Sequence, residues 1–144
     1  MEFMIVTGLS GAGKSRAVDA LEDIGYYCVD NLPPVLLAQF AQLFAEAHQS
    51  VERVALIVDS RGAAVIEDFD RGLKEMQERE IPYEIMFLDC DDEVLLRRFK
   101  ETRRPHPLTE IGDISIKEAI ARDRQILQHV KQAADYLIDT SRLS

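Results

Sequence analysis

Eight residues near the amino terminus, Gly8-Leu9-Ser10-Gly11-Ala12-Gly13-Lys14-Ser15, follow the pattern G-x-x-x-x-G-K-[ST] in full. The spacing has a chemical reason. Glycines let the backbone turn its N–H groups inward around a phosphate with no Cβ in the way, and a helix starting at the lysine directs its positive end at the same anion. Lys14 would then reach the β- and γ-phosphates, and the Ser15 hydroxyl would ligate magnesium. The pattern points to a site for ATP or GTP with Mg2+.

Such a site needs companions. Val54-Ala55-Leu56-Ile57-Val58-Asp59 reads as a buried apolar strand ending in a carboxylate that could share the magnesium shell with Ser15. Asp59-Ser60-Arg61-Gly62 also fits the short D-x-x-G pattern of GTPases, and Arg61 is either a phosphate contact or a surface arginine paired with a carboxylate. The chain holds a single asparagine, Asn31, followed by Leu-Pro-Pro, so the N-K-x-D guanine reader of Ras-like proteins is absent. Asp30 ends a second strand, where it is either a substrate- or metal-binding carboxylate or part of a turn.

Arg97 to His106 holds five basic residues, one acidic residue and one histidine, a concentration at odds with the rest of an acidic chain. Nucleotide kinases carry at this position a lid whose arginines close over the transferring phosphate. Arg103 and Arg104 precede a Pro-His-Pro kink and are candidates for that electrostatic role beside Lys14 and Asp59; the competing reading is a solvated basic face. His106 reads as structural.

These residues must be carried by a scaffold, and the chain supplies an alternating one. Short apolar runs at 3–7, 26–29, 54–58, 83–88 and 136–138 read as strands. Between them lie a helix to about Ile24 ended by Gly25, a helix over 35–47 with Leu36, Phe40, Leu43, Phe44 and Ala47 on one stripe, a helix over 64–79, and a short helix capped by Asp91. A last helix is opened by the capping box Ser115-Ile116-Lys117-Glu118. Asp30-Asn31-Leu32-Pro33-Pro34 is expected to break the second strand. This order implies an α/β fold, a five-stranded parallel sheet flanked by helices, of the P-loop NTPase kind. Ligands of such sheets bind at the carboxyl ends of strands, which singles out Gly8, Asp30, Asp59, Asp89 and Asp139. Aspartate also ends strands well, so Asp89 and Asp139 stand between the two readings.

The 144 residues suit one domain. With 26 acidic and 17 basic side chains the net charge is −9, which opposes nucleic acid and anionic membranes except at a local basic patch. No apolar run approaches the roughly 20 residues of a membrane span, and no secretory leader is visible. Cys28 and Cys90 lack zinc or redox spacing and are expected to be buried and reduced, which points to the cytoplasm.

Beyond the loop, Ala20-Leu21-Glu22-Asp23-Ile24-Gly25-Tyr26-Tyr27-Cys28-Val29-Asp30-Asn31-Leu32-Pro33 strongly resembles the RapZ/YvcJ family of nucleotide-binding proteins, the RNase adapter proteins. So do Phe87-Leu88-Asp89, Glu101-Thr102-Arg103-Arg104-Pro105-His106-Pro107-Leu108 and Ile138-Asp139-Thr140-Ser141. The resemblance implies a kinase-like domain that binds ATP and GTP on Gly8 to Ser15 with modest hydrolysis, and a GTP-associated segment at Asp59 to Gly62. It further implies that residues 1–144 are the amino-terminal part of a two-domain protein, and that RNA binding belongs to the missing carboxyl-terminal domain. A homo-oligomer is left open. No residue is placed by sequence to activate water, so slow turnover with the nucleotide as a signal is the favoured expectation. Two others compete with it: a small-molecule kinase using Asp30 or Arg61 on an acceptor, and an adapter for RNA or protein with a vestigial nucleotide pocket.

Overall fold

The computed structural model describes residues 1–9, 12–58, 65–102 and 116–141, with the side chains of all but 65–66 and 99–102. Five strands are present: β1 (Glu2–Gly8), β2 (Tyr27–Leu32), β3 (Arg53–Val58), β4 (Tyr83–Asp89) and β5 (Tyr136–Asp139). The helices are α1 (Lys14–Asp23), α2 (Leu37–Ala47), α3 (Val65–Glu78), α4 (Asp92–Thr102) and α5 (Ile116–Ala133), with a 3-10 turn at Pro34–Leu36 before α2.

All strand pairs are parallel, in the order β2-β3-β1-β4-β5. Residues 3 to 6 and 54 to 58 are apolar without interruption because β1 and β3 are covered on both faces, and every one of them is buried. Right-handed crossovers place the chain after β1 on one face of the sheet and the returning helices on the other. Accordingly α1 packs on β1, β2 and β3, while α2 meets α3, α3 meets α5 and α5 meets α4. The connection from β1 leaves toward β2 and that from β4 leaves toward β5, so a crevice opens between the carboxyl ends of β1 and β4.

Two expectations need correction. The second strand does not break at Asp30: pairing slips between Val29 and Leu32 and then resumes with Leu32 opposite Val58. Asn31 absorbs the slip in the left-handed region at φ 55, and the Asp30 carboxylate accepts its N–H at 2.8 Å. Leu32 is worth reaching because it is buried. The stripe on the second helix is also out of phase. Pro33 and Pro34 start a tight 3-10 turn, which rotates the helix after it, so Leu37, Ala38, Ala41 and Phe44 face the core and Leu36 and Leu43 face outward. Gly72 of α3 is seated against that turn, where a Cβ would run into the Pro34 carbonyl.

Cys90 is buried, Cys28 is half-buried, and both are free thiols. Burial pushes the Cys28 thiol above its ordinary pKa, reinforced by Glu22 and Asp30. β5 lies at an edge with all four of its residues exposed. Among the described residues no helix is long and apolar enough to cross a membrane.

Candidate functional site

The crevice between β1 and β4 is where the glycine-rich segment lies. Gly8 ends β1 opposite Leu88, and a Cβ there would strike the Leu88 carbonyl oxygen and stand 2.8 Å from the Leu88 Cβ. The glycine is therefore required by strand packing as well as by phosphate access. The Leu9 N–H then donates to Leu88 O at 3.2 Å, and the Ala12 N–H to Leu9 O at 3.0 Å, curling the chain back over the sheet end.

Gly13 sits in the left-handed region (φ 91, ψ 35) and forms the amino-terminal cap of α1. No side chain caps that helix end and no acidic residue occupies its first turn, whereas α3, α4 and α5 each carry Glu or Asp in the first turn; α2, which continues a 3-10 turn, is likewise acid-free there. An uncapped, acid-free helix start leaves N–H donors and the positive end of the helix dipole to an anion. Lys14 is half-buried and donates from Nζ to the Gly8 carbonyl at 3.2 Å, so its ammonium spans the mouth of the loop. Ser15, the next residue, is exposed at the same helix end.

Thr140, just past β5, ties this region together from below. It is only 2% exposed, so its polar atoms need partners within the protein. Its N–H donates to Asp89 O at 2.8 Å, and its hydroxyl reaches the Ala12 carbonyl at 2.5 Å. Arg98 of α4 grips the same residue, from Nη2 to Thr140 O at 2.7 Å and from Nη1 to Oγ1 at 3.3 Å.

Asp89 is put to structural use. Its carboxylate takes Arg124 Nη1 at 2.9 Å, Lys131 Nζ at 2.8 Å and the Cys90 N–H at 2.8 Å. Burial alone would raise its pKa, but the bonds from Lys131, Cys90 and Arg124 outweigh burial and hold it below the ordinary carboxylate range. Arg124 also bonds Asp92 at 2.5 Å and the Cys90 carbonyl, so α5 is stapled to the end of β4 and the start of α4. Asp139 accepts the Ser141 N–H at 2.9 Å and the Ser141 hydroxyl at 2.6 Å, which shapes the turn that presents Thr140. Asp30 is exposed at the carboxyl end of β2.

Of the residues singled out from sequence, Gly8, Leu9, Ala12, Gly13, Lys14 and Ser15 are gathered at one sheet end. Ser10, Gly11, Asp59, Ser60, Arg61, Gly62, Arg103, Arg104 and His106 lie outside the described residues. Sequence reasoning missed Arg98 and Thr140 as parts of this region. The run Asp139-Thr140-Ser141 was visible as a motif, but nothing local says that its threonine reaches back 128 positions to Ala12.

A family model described as "RapZ-like N-terminal domain" matches residues 1–144. The chain belongs to this RapZ-like family. Relatives named "Nucleotide-binding protein" share 53% identity in Carboxydothermus hydrogenoformans and 52% in Alkaliphilus oremlandii, each over 99% of this chain. The chain spans about half the length of these curated relatives, 49% in both cases. Among solved structures it is similar to shikimate kinase from Bacteroides thetaiotaomicron, with a TM-score of 0.63 at 17% identity over 99% of this chain and 89% of that one. The Deinococcus radiodurans tunicamycin resistance protein gives a TM-score of 0.61 at 13% identity, over 99% and 88%. At such identities the likeness shows the fold, a kinase-like P-loop α/β sheet, as expected from the sequence. The RapZ-like assignment shows a nucleotide-binding family.

Proposed function

We propose that this RapZ-like domain binds ATP or GTP with magnesium through Gly8 to Ser15, hydrolyses it slowly, and uses the bound nucleotide as a regulatory signal. The observation that carries the reading is the start of α1: a left-handed Gly13, no side-chain cap, no acid in the first turn, and Lys14 Nζ on the Gly8 carbonyl. Three positive features converge where phosphates would lie, namely the α1 N–H groups, its dipole and the Lys14 ammonium. Lys14 would exchange the Gly8 carbonyl for phosphate oxygen. The exposed Ser15 hydroxyl and, in this proposal, Asp59 are the residues to hold Mg2+, which would neutralise phosphate charge. Asp59 to Gly62 would complete the nucleotide contacts, with Arg103 and Arg104 acting on the γ-phosphate.

Slow turnover follows from the chemistry at hand. Among the described residues Asp89, at the end of β4, is engaged by Arg124 and Lys131, which makes it a poor base for water. In a full-length protein of the relatives' size, RNA recognition would fall to the portion beyond this domain, since a net charge of −9 opposes a polyanion. Calorimetric titration with ATP, GTP and their diphosphates, with and without magnesium, is the test. Binding in the micromolar range that Lys14→Ala removes is expected. No binding of any nucleotide by the folded domain would refute the proposal, and stoichiometric phosphorylation of a metabolite would favour a kinase instead.

A further inference from the structure

The second helix carries more apolar surface than the domain buries. Leu37, Ala38, Ala41 and Phe44 face the core, and a second row, Leu36, Phe40, Leu43 and Ala47, recurs at intervals of four, three and four beside it. At about 100° per residue the two rows make an apolar arc of about 220°, roughly twice what one core-facing stripe needs. Leu36, Leu43 and Ala47 are exposed, Leu43 at 59%. Phe40 is half-buried with its ring on Phe44 at 5.8 Å, and the Phe44 ring meets Tyr27 of the edge strand β2 at 5.0 Å. Tyr27 is itself exposed, so the row runs on to the sheet edge as one apolar surface. Its outward phase is held in place. Gly72 of α3 sits against the Pro34 carbonyl with no room for a Cβ, which locks the 3-10 turn that sets the phase of α2.

The charges point to what covers this surface. Asn31 to Ala45 holds no charged residue over fifteen positions, the longest such run in a chain of which 30% is charged. Two copies with a net charge of −9 repel each other, and repel least where this face meets itself. The one acid of α2 is also misplaced for its own helix. Glu46 lies in the last turn, at the negative end of the dipole, with no basic residue there. It accepts from Gln42 Nε2 at a long 3.4 Å, while Arg79 bonds Gln42 Oε1 at 2.6 Å. The first turn, at the positive end, has neither an acid nor a side-chain cap. We propose that α2 is a self-association surface that packs antiparallel on α2 of a second copy, about a two-fold axis between Phe40 and Leu43. Such a contact is self-complementary. Phe40 then meets Leu43 of the second copy, Leu36 meets Ala47, and Glu46 comes beside Leu37, where the other helix starts. Each carboxylate meets the positive helix end that lacks an acid, and both mismatches are relieved at once. This inference does not rest on the nucleotide reading.

Sedimentation equilibrium of the 144-residue chain without nucleotide, over about 2–200 µM, is the test. One helix face and a strand edge make a small interface, so a dimer with micromolar affinity is expected. Leu43→Glu should weaken it by about tenfold or more, with the circular dichroism of the parent because the residue is exposed. Leu43→Gln serves if the glutamate variant does not fold. Leu137→Glu, on the exposed apolar edge strand β5, should associate as the parent does. Glu46→Lys reads the antiparallel arrangement. It makes an acidic protein less acidic, so general repulsion alone would tighten association, whereas a lysine beside the other helix's positive end should weaken it about threefold. In the Leu43→Glu background the same change should not lower Tm, since a cation suits the end of its own helix. A parent that stays monomeric throughout overturns the inference, leaving the row to the further half of a chain of the relatives' length. A dimer that survives both Leu43 variants, that Leu137→Glu breaks, or that Glu46→Lys tightens overturns it as well.

Discussion

Gly8→Ala is expected to be the most damaging single-methyl change that can be made in the described part of this domain's phosphate loop. The added Cβ would enter the space held by the Leu88 carbonyl oxygen, with the Leu88 Cβ at 2.8 Å and its N at 3.0 Å. None of these atoms is the far end of a flexible side chain. Relief would have to come from separating β1 and β4, which are paired from Phe3–Tyr83 to Gly8–Leu88, and from breaking the Leu9 N–H bond to Leu88. Overpacking against backbone typically costs about 1–3 kcal/mol, and the rigid pairing here argues for about 3. Unfolding entropy is about 2.1 cal/mol/K per residue, or about 0.3 kcal/mol/K for a domain of this size, so Tm should fall by about 10 °C. Gly25→Ala is the comparison: φ is 99 and nothing lies within 4 Å of the built Cβ, so only backbone strain of about 1–2 kcal/mol acts, or about 3–7 °C. Circular dichroism melts of both variants without ligand decide the matter. If Gly8→Ala melts no lower than Gly25→Ala, strand packing is not what demands glycine at position 8.

Lys14→Ala should cost about 2–4 kcal/mol of triphosphate binding, measured by calorimetry, while Tm of the free domain changes little, because the half-buried ammonium reaches a loop carbonyl rather than the core. Asp59→Asn should lower magnesium-dependent affinity and spare magnesium-free binding; equal losses in both conditions would point to a role outside the metal shell. Asp89→Asn should destabilise the domain by about 1–3 kcal/mol at pH 7, since Arg124 and Lys131 both lose a charged acceptor. The folded pKa of Asp89 is depressed, so its stabilisation is present above the ordinary carboxylate pKa and is lost as pH falls through the folded value. Melts of parent and variant should therefore converge in acid, and a gap that stays constant down to about pH 2 would contradict the staple.

The strands and the loop were legible in sequence because both depend on local pattern. A run such as Val54-Ala55-Leu56-Ile57-Val58 can be apolar throughout only if both faces are covered, and the phosphate pattern fixes four residues across a span of eight. The phase of α2 was not legible. It turns on a 3-10 start that Pro33 and Pro34 impose, and a single residue of offset moves Leu36 and Leu43 from core to surface. Nor was the role of Thr140 visible. A buried threonine bonded to Ala12, Asp89 and Arg98 is defined by three long-range partners, which composition and spacing do not encode. For Asp89 the sequence offered two readings, and only the geometry of Arg124 and Lys131 chose between them.

The place of β1 in the sheet also governs how the domain comes into being on the ribosome. The first strand to be synthesised is the middle one, and it has no neighbour until much later: Glu2 pairs with Arg53, and Phe3 with Tyr83. At about 5–20 residues per second, roughly 3–10 s pass before the first partner strand exists. Throughout that interval Phe3-Met4-Ile5-Val6, buried in the finished fold, is an uncovered sticky run. Such distant pairings also belong to the slower folding regime once synthesis is complete. Holding chaperones should therefore engage this domain through β1, and release it only after β3 and β4 have emerged to enclose that strand.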